Sequence, residues 1–86
     1  MDEITLTADG AVAVSFGGLA SASVVTVYAK GGYVRARITH ADGAVQSVPV
    51  DPLLVIISLL KPITALDLLR EPGKDIPVEI FLGEKL

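Results

Sequence analysis

The chain contains no cysteine and no tryptophan, and it has only two tyrosines, two phenylalanines and one histidine in 86 residues. Without cysteine there are no disulfide staples and no thiolate metal sites, a composition that fits a reducing cytoplasm. Aromatics at 5 % leave little material for the stacked platforms that bind carbohydrate. Cations are also in the minority, seven Lys and Arg against ten Asp and Glu, for a formal charge of −3 and a pI near 4.8. Phosphate neutralisation needs clustered excess cations, so no nucleic-acid partner is expected. Nucleophilic catalysis needs a base beside the nucleophile and an oxyanion donor, and His40 is the one histidine available, with no Gly-x-Ser-x-Gly elbow to accompany it. The pairs Gly17-Gly18 and Gly31-Gly32 lack the strand–loop–helix context and the Lys-Ser/Thr partner of a phosphate loop. The expectation is a protein with no enzymatic activity, no cofactor, no metal and no evident small-molecule substrate.

What the chain has in abundance is aliphatic side chain. It is 51 % hydrophobic with a mean hydropathy of +0.62. A single domain over residues 1–86 buries only about 60–65 % of its unfolded surface, so this much apolar material needs a cover. The longest run is Leu53–Leu60, bounded by Pro52 and by Lys61-Pro62. A spanning helix needs about 20 apolar residues, and extending the run through Ile63–Leu69 would place Lys61, Pro62 and Asp67 inside the span. No membrane insertion is expected. The acidic opening Asp2-Glu3, without an apolar stretch, gives no reason to expect a signal peptide either. Burial against other subunits is the remaining reading, and it makes the chain a homo-oligomer.

Taken in order, Glu3–Thr7 alternates with Ile4 and Leu6 on one side, a half-buried strand. Ala8-Asp9-Gly10-Ala11 supplies a tight turn, and Val12, Val14 and Phe16 form the inward set of a second strand. Gly17–Ala22 is a flexible loop long enough to cross between sheets. Ser23–Lys30 reads as a strand, and Gly31-Gly32 reads as a two-residue hairpin leading into Tyr33–Ile38. That hairpin would gather Tyr28, Lys30, Tyr33, Arg35 and Arg37 on one face, with Val25, Val27, Ala29, Val34, Ala36 and Ile38 on the other. Thr39–Ala44 repeats the turn chemistry and Val45–Val50 returns as a strand. The string Ala-Asp-Gly-Ala-Val occurs at 8–12 and again at 41–45, read as one hairpin turn used twice. Strand is favoured over helix for Leu53–Leu60, buried on both faces, because the run is short and β-branched. For Ile63–Arg70 two readings stand: a short helix near 64–69 capped by Thr64, or a strand that turns at Glu71-Pro72-Gly73-Lys74 and returns through Ile76–Leu82. In the second, preferred reading Arg70 meets Asp75 and Glu71 meets Lys74 across the hairpin. Pro77 then implies an edge strand.

These elements predict an all-β fold, a small antiparallel sandwich or barrel of about seven or eight short strands. Three readings compete for the Tyr28, Lys30, Tyr33, Arg35 and Arg37 face: solvated surface, a protein interface, or a groove for single-stranded nucleic acid, the last opposed by the overall charge. Leu54, Ile56 and Leu60 join that list as the part of the apolar run expected at a subunit interface. His40 and Asp42 are two ligands at one turn, which is not a metal site.

The segment Val25–Val50, with its turns at Gly31-Gly32 and Ala41-Asp42-Gly43-Ala44, resembles the small, cysteine-free, Ala/Gly/Val-rich β-proteins that serve as head-decoration and accessory structural proteins of tailed-phage virions. The resemblance implies a repeated, non-enzymatic structural subunit that binds another structural protein, in a virion assembled in the host cytoplasm. The alternative is a small bacterial adaptor or ligand-binding β-module in the cytoplasm, acting as a monomer or dimer. A designed oligomer would show the same turn chemistry and Val-rich strands.

Overall fold

The computed structural model describes residues 2–84 and contains eight strands: β1 (Asp2–Leu6), β2 (Val12–Ala13), β3 (Val24–Ala29), β4 (Val34–His40), β5 (Val45–Val50), β6 (Leu53–Ile57), β7 (Ile63–Arg70) and β8 (Ile76–Gly83). They form two four-stranded antiparallel sheets, and no helix occurs among the described residues. Sheet A has the order β1-β8-β3-β6 and sheet B the order β2-β7-β4-β5. The fold is a β-sandwich. Six of its seven connections pass from one sheet to the other; β4–β5 alone is a hairpin.

Alternation of side chains explains how the core is filled. Val25, Val27 and Ala29 of β3 point inward from sheet A, and Val34, Ala36 and Ile38 of β4 point inward from sheet B. Leu66 and Leu68 of β7 and Ile76, Val78 and Ile80 of β8 complete the centre, all at or below 2 % exposure. Each of these Val, Leu and Ile side chains contributes roughly 1.5–3 kcal/mol by leaving water, and the two alanines less.

The same alternation corrects the predicted β3–β4 hairpin. An inward apolar set on each of two consecutive strands fits side-by-side pairing, and it fits equally well two strands facing each other across a core. Here Lys30–Tyr33 arches from sheet A to sheet B, and β3 pairs instead with β6 and β8. Gly32 is tightly packed in that arch: a Cβ there would lie 2.8 Å from Ile76 Cδ1. The 71–74 turn is likewise an arch, since β7 lies in sheet B and β8 in sheet A. β8 is a central strand rather than the edge that Pro77 implied. Pro77 is tolerated because it is the second residue of the strand, where its carbonyl still accepts from Lys30 N at 2.9 Å.

Ile63–Arg70 is a strand, not a helix. A register shift opposite Thr39 and His40 leaves Thr64 as an extra residue, so Ile63 and Leu66, three apart, are both buried. The repeated pentapeptide takes two shapes. At 41–45 it is a hairpin turn, with Asp42 Oδ1 accepting from Ala44 N at 3.0 Å and Gly43 at φ +90°. At 8–12 it is an arch between sheets, with Asp9 Oδ1 accepting from Gly73 N at 3.0 Å and pairing with Arg70 Nε at 2.9 Å.

Candidate functional site

The two outer faces of the sandwich differ in chemistry. On sheet B the outward rows are Pro49–Arg35–Leu69, Ser47–Arg37–Asp67 and Val45–Thr39–Ala65, with two arginines at the centre: Arg37 Nη2 binds Asp67 Oδ2 at 2.8 Å, and Arg35 Nη1 reaches Ser47 Oγ at 3.4 Å. On sheet A the outward rows are Leu53–Tyr28–Glu79–Glu3, Val55–Thr26–Phe81 and Ile57–Val24–Gly83. One corner of this face is ionic, where Lys30 Nζ sits 2.8 Å from Glu79 and 3.1 Å from Glu3. The two carboxylates hold the Lys30 ammonium above its ordinary pKa, Glu79 first. The rest is apolar and open, with Leu53 55 %, Val55 54 %, Ile57 68 % and Phe81 45 % exposed.

β6 is also the end strand of sheet A. Pro52 O accepts from Ala29 N and Ser58 N donates to Ser23 O, at 2.8 and 2.7 Å. In that antiparallel register the ladder groups of Leu54 and Ile56 face β3, so the N–H and C=O of Leu53, Val55 and Ile57 face the open edge. These three residues therefore present both an apolar side chain and an unpaired backbone.

The other edges are blunted, each by a different device. On β5 the edge-facing residues are Val45, Ser47 and Pro49, and Pro49 has no N–H to offer. β1 carries Asp2 and Glu3, and β2 is two residues long. β6 contains no charge, no proline and no bulge between Leu53 and Ile57.

Beyond Ile57 the apolar surface continues into a groove of about 660 Å³ lined by Ile57, Leu59, Leu60, Lys61, His40 and Gln46. Leu60 is 96 % exposed. His40 ties the groove's two walls together: Nδ1 donates to Lys61 O at 2.8 Å, and Nε2 lies 3.0 Å from Gln46 Oε1. Gln46, the Lys61 carbonyl and the nearby Asp42 carboxylate raise the imidazole pKa above its ordinary 6.5. Ser58 Oγ donates to the same Lys61 carbonyl at 2.6 Å, so serine and histidine share an acceptor and do not form a nucleophile–base pair. Among the described residues no group of three or more His, Asp or Glu gathers to hold a metal.

The sequence-predicted site is therefore divided. Tyr28 and Lys30 lie on the outer face of sheet A, whereas Arg35 and Arg37 lie on the outer face of sheet B. Tyr33, 55 % exposed, sits in the arch between them. The single basic and aromatic ribbon does not exist. Leu54 and Ile56 point inward and pack against the core, and Leu60 is on the surface. The apolar run is one-sided rather than covered on both faces, and its open residues are the alternates Leu53, Val55 and Ile57. An uninterrupted aliphatic string does not reveal which parity faces out. Proline at 49 and none from 53 to 57 was the available signal for which edge is guarded. Comparison with family models, with curated proteins and with solved structures finds no match for this chain.

Proposed function

We propose that the chain is a non-enzymatic structural subunit that assembles with copies of itself and docks on a larger protein lattice. The observation that carries this reading is the outer face of sheet A, where Leu53, Val55, Ile57 and Phe81 stand about half exposed beside Tyr28. A contiguous apolar face on an otherwise charged small domain marks a protein contact. Aromatic side chains in such a face are efficient anchors. A virion surface, with the chain as head decoration or accessory protein, is the lattice suggested by the resemblance of Val25–Val50.

Light scattering at tens of micromolar tests the assembly. The expected result is a closed oligomer; a monomer at that concentration would overturn it. A second reading, a ligand-binding β-module, draws on the groove at Leu59 and Leu60, which is of the size that holds small molecules. Sugars, nucleotides and fatty acids that raise Tm would favour it over assembly.

A further inference from the structure

We infer that β6 pairs antiparallel with β6 of a second copy about a two-fold axis at Val55, joining two A sheets into one. This rests on the assembly reading above and specifies its first contact. The edge-facing residues Leu53, Val55 and Ile57 offer an N–H and a C=O each, in the spacing that an antiparallel neighbour requires.

A strand can pair with its own copy only if it is compatible with its own reverse. Leu53-Leu54-Val55-Ile56-Ile57 is, because every residue is aliphatic and none is charged. About Val55, Leu53 meets Ile57 of the second copy and Val55 meets Val55. Each of these is an apolar cross-strand pair on the outer face. No like charges are brought together.

Leu53, Val55 and Ile57, 54 to 68 % exposed, would each be covered along one side by the second copy's row while their outer sides stay open, so the backbone ladder is the main contact.

The pairing also assigns different work to two surfaces. Edge β6 makes the dimer, and Tyr28 and Phe81 from both copies stay on the outside of the joined sheet, free for the lattice. Sheet B does not join across the axis, because Pro49 leaves β5 one donor short.

Val55→Pro is the test, because the Val55 N–H faces away from β3 and its loss leaves the β3–β6 ladder intact. The expected result is association weakened at least about thirtyfold, with an unchanged far-UV spectrum. Val55→Lys, which keeps the N–H and adds a charge at the axis, serves if the proline variant does not fold. In assembled wild-type protein the amides of Leu53, Val55 and Ile57 are expected to exchange slowly, and in the variants those of Leu53 and Ile57 rapidly. If the variants assemble like the wild type, or those amides exchange freely in the oligomer, edge pairing is overturned while the assembly reading stands. If the wild type is a monomer, both fall.

Discussion

Arg70 joins two loops that are distant in sequence. Its side chain is 10 % exposed, and it binds Asp9 at 2.9 Å and Asp75 at 2.8 Å, pinning the β1–β2 arch to the β7–β8 arch. A guanidinium can serve two carboxylates at once, whereas an ammonium is a single point charge. Both partners are well exposed, so the effect is moderate: Arg70→Lys is expected to lower stability by about 1 kcal/mol in urea denaturation. The Arg70–Asp75 proximity was legible in the sequence; the link to Asp9 was not, because the turn chemistry of Asp9-Gly10 points to a local hairpin. The Gly73 amide, with Arg70, holds Asp9 below the ordinary carboxylate pKa of 3.8. Asp42 is lowered in the same way by the Ala44 amide and then by Lys61. A depressed folded pKa gives stability that is present above 3.8 and lost as the pH falls through the folded value, so Tm should drop on acidification below 3.8. His40 has the opposite sign. Its raised pKa stabilises the fold below 6.5, and this is lost as the pH rises through the folded value. As the only histidine, it gives one NMR titration, expected above 6.5. Gln46→Glu should raise it further; no response would mean that the Gln46 contact does not set it.

At the scale of elements, β6 shows what an apolar run leaves undetermined. Its strand character was legible from its length and its Val55-Ile56-Ile57 sequence, and its one-sidedness was not. Ile56→Ala should cost about 1–3 kcal/mol, since that side chain is partly buried against the core. Ile57→Ala, two-thirds exposed, should change stability by less than about 0.5 kcal/mol and weaken self-association instead. Equal effects in denaturation and light scattering would mean that β6 is not sided in solution. On the opposite sheet, Pro49→Thr restores a donor to the β5 edge, which lies across the core from β6, and the dimer is expected to tighten in light scattering. Strand boundaries were largely readable from alternation, and so was the β4–β5 hairpin, where Asp42 and Gly43 build the turn locally. Partner choice was not. Val25, Val27 and Ala29 carry the same inward pattern whether Val34, Ala36 and Ile38 lie beside them or across the core, and a pattern of period two does not separate these cases.

Over the whole molecule, consecutive strands occupy matching positions in the two sheet orders, β1 with β2, β8 with β7, β3 with β4 and β6 with β5. The core is thus shared by every arch, and small size leaves it marginal, with stability of order 5–15 kcal/mol. Leu68→Ala, at a fully buried position, is expected to cost about 2–5 kcal/mol and lower Tm by more than about 8 °C. A smaller loss would mean that the cavity collapses. With one hairpin and six crossings, refolding is expected on a scale of milliseconds to seconds. The sheet order has a further consequence for biosynthesis. The final strand, β8, lies between β1 and β3 and is the only strand in contact with β1 within sheet A. A nascent chain emerging at about 5–20 residues per second therefore leaves β1 without its ladder partner until Ile76–Gly83 has left the ribosome. Sheet B and the β3–β6 pair can form before that segment is made, but the closing of sheet A has to follow it, and a chaperone that shields strands would have its longest task at β1.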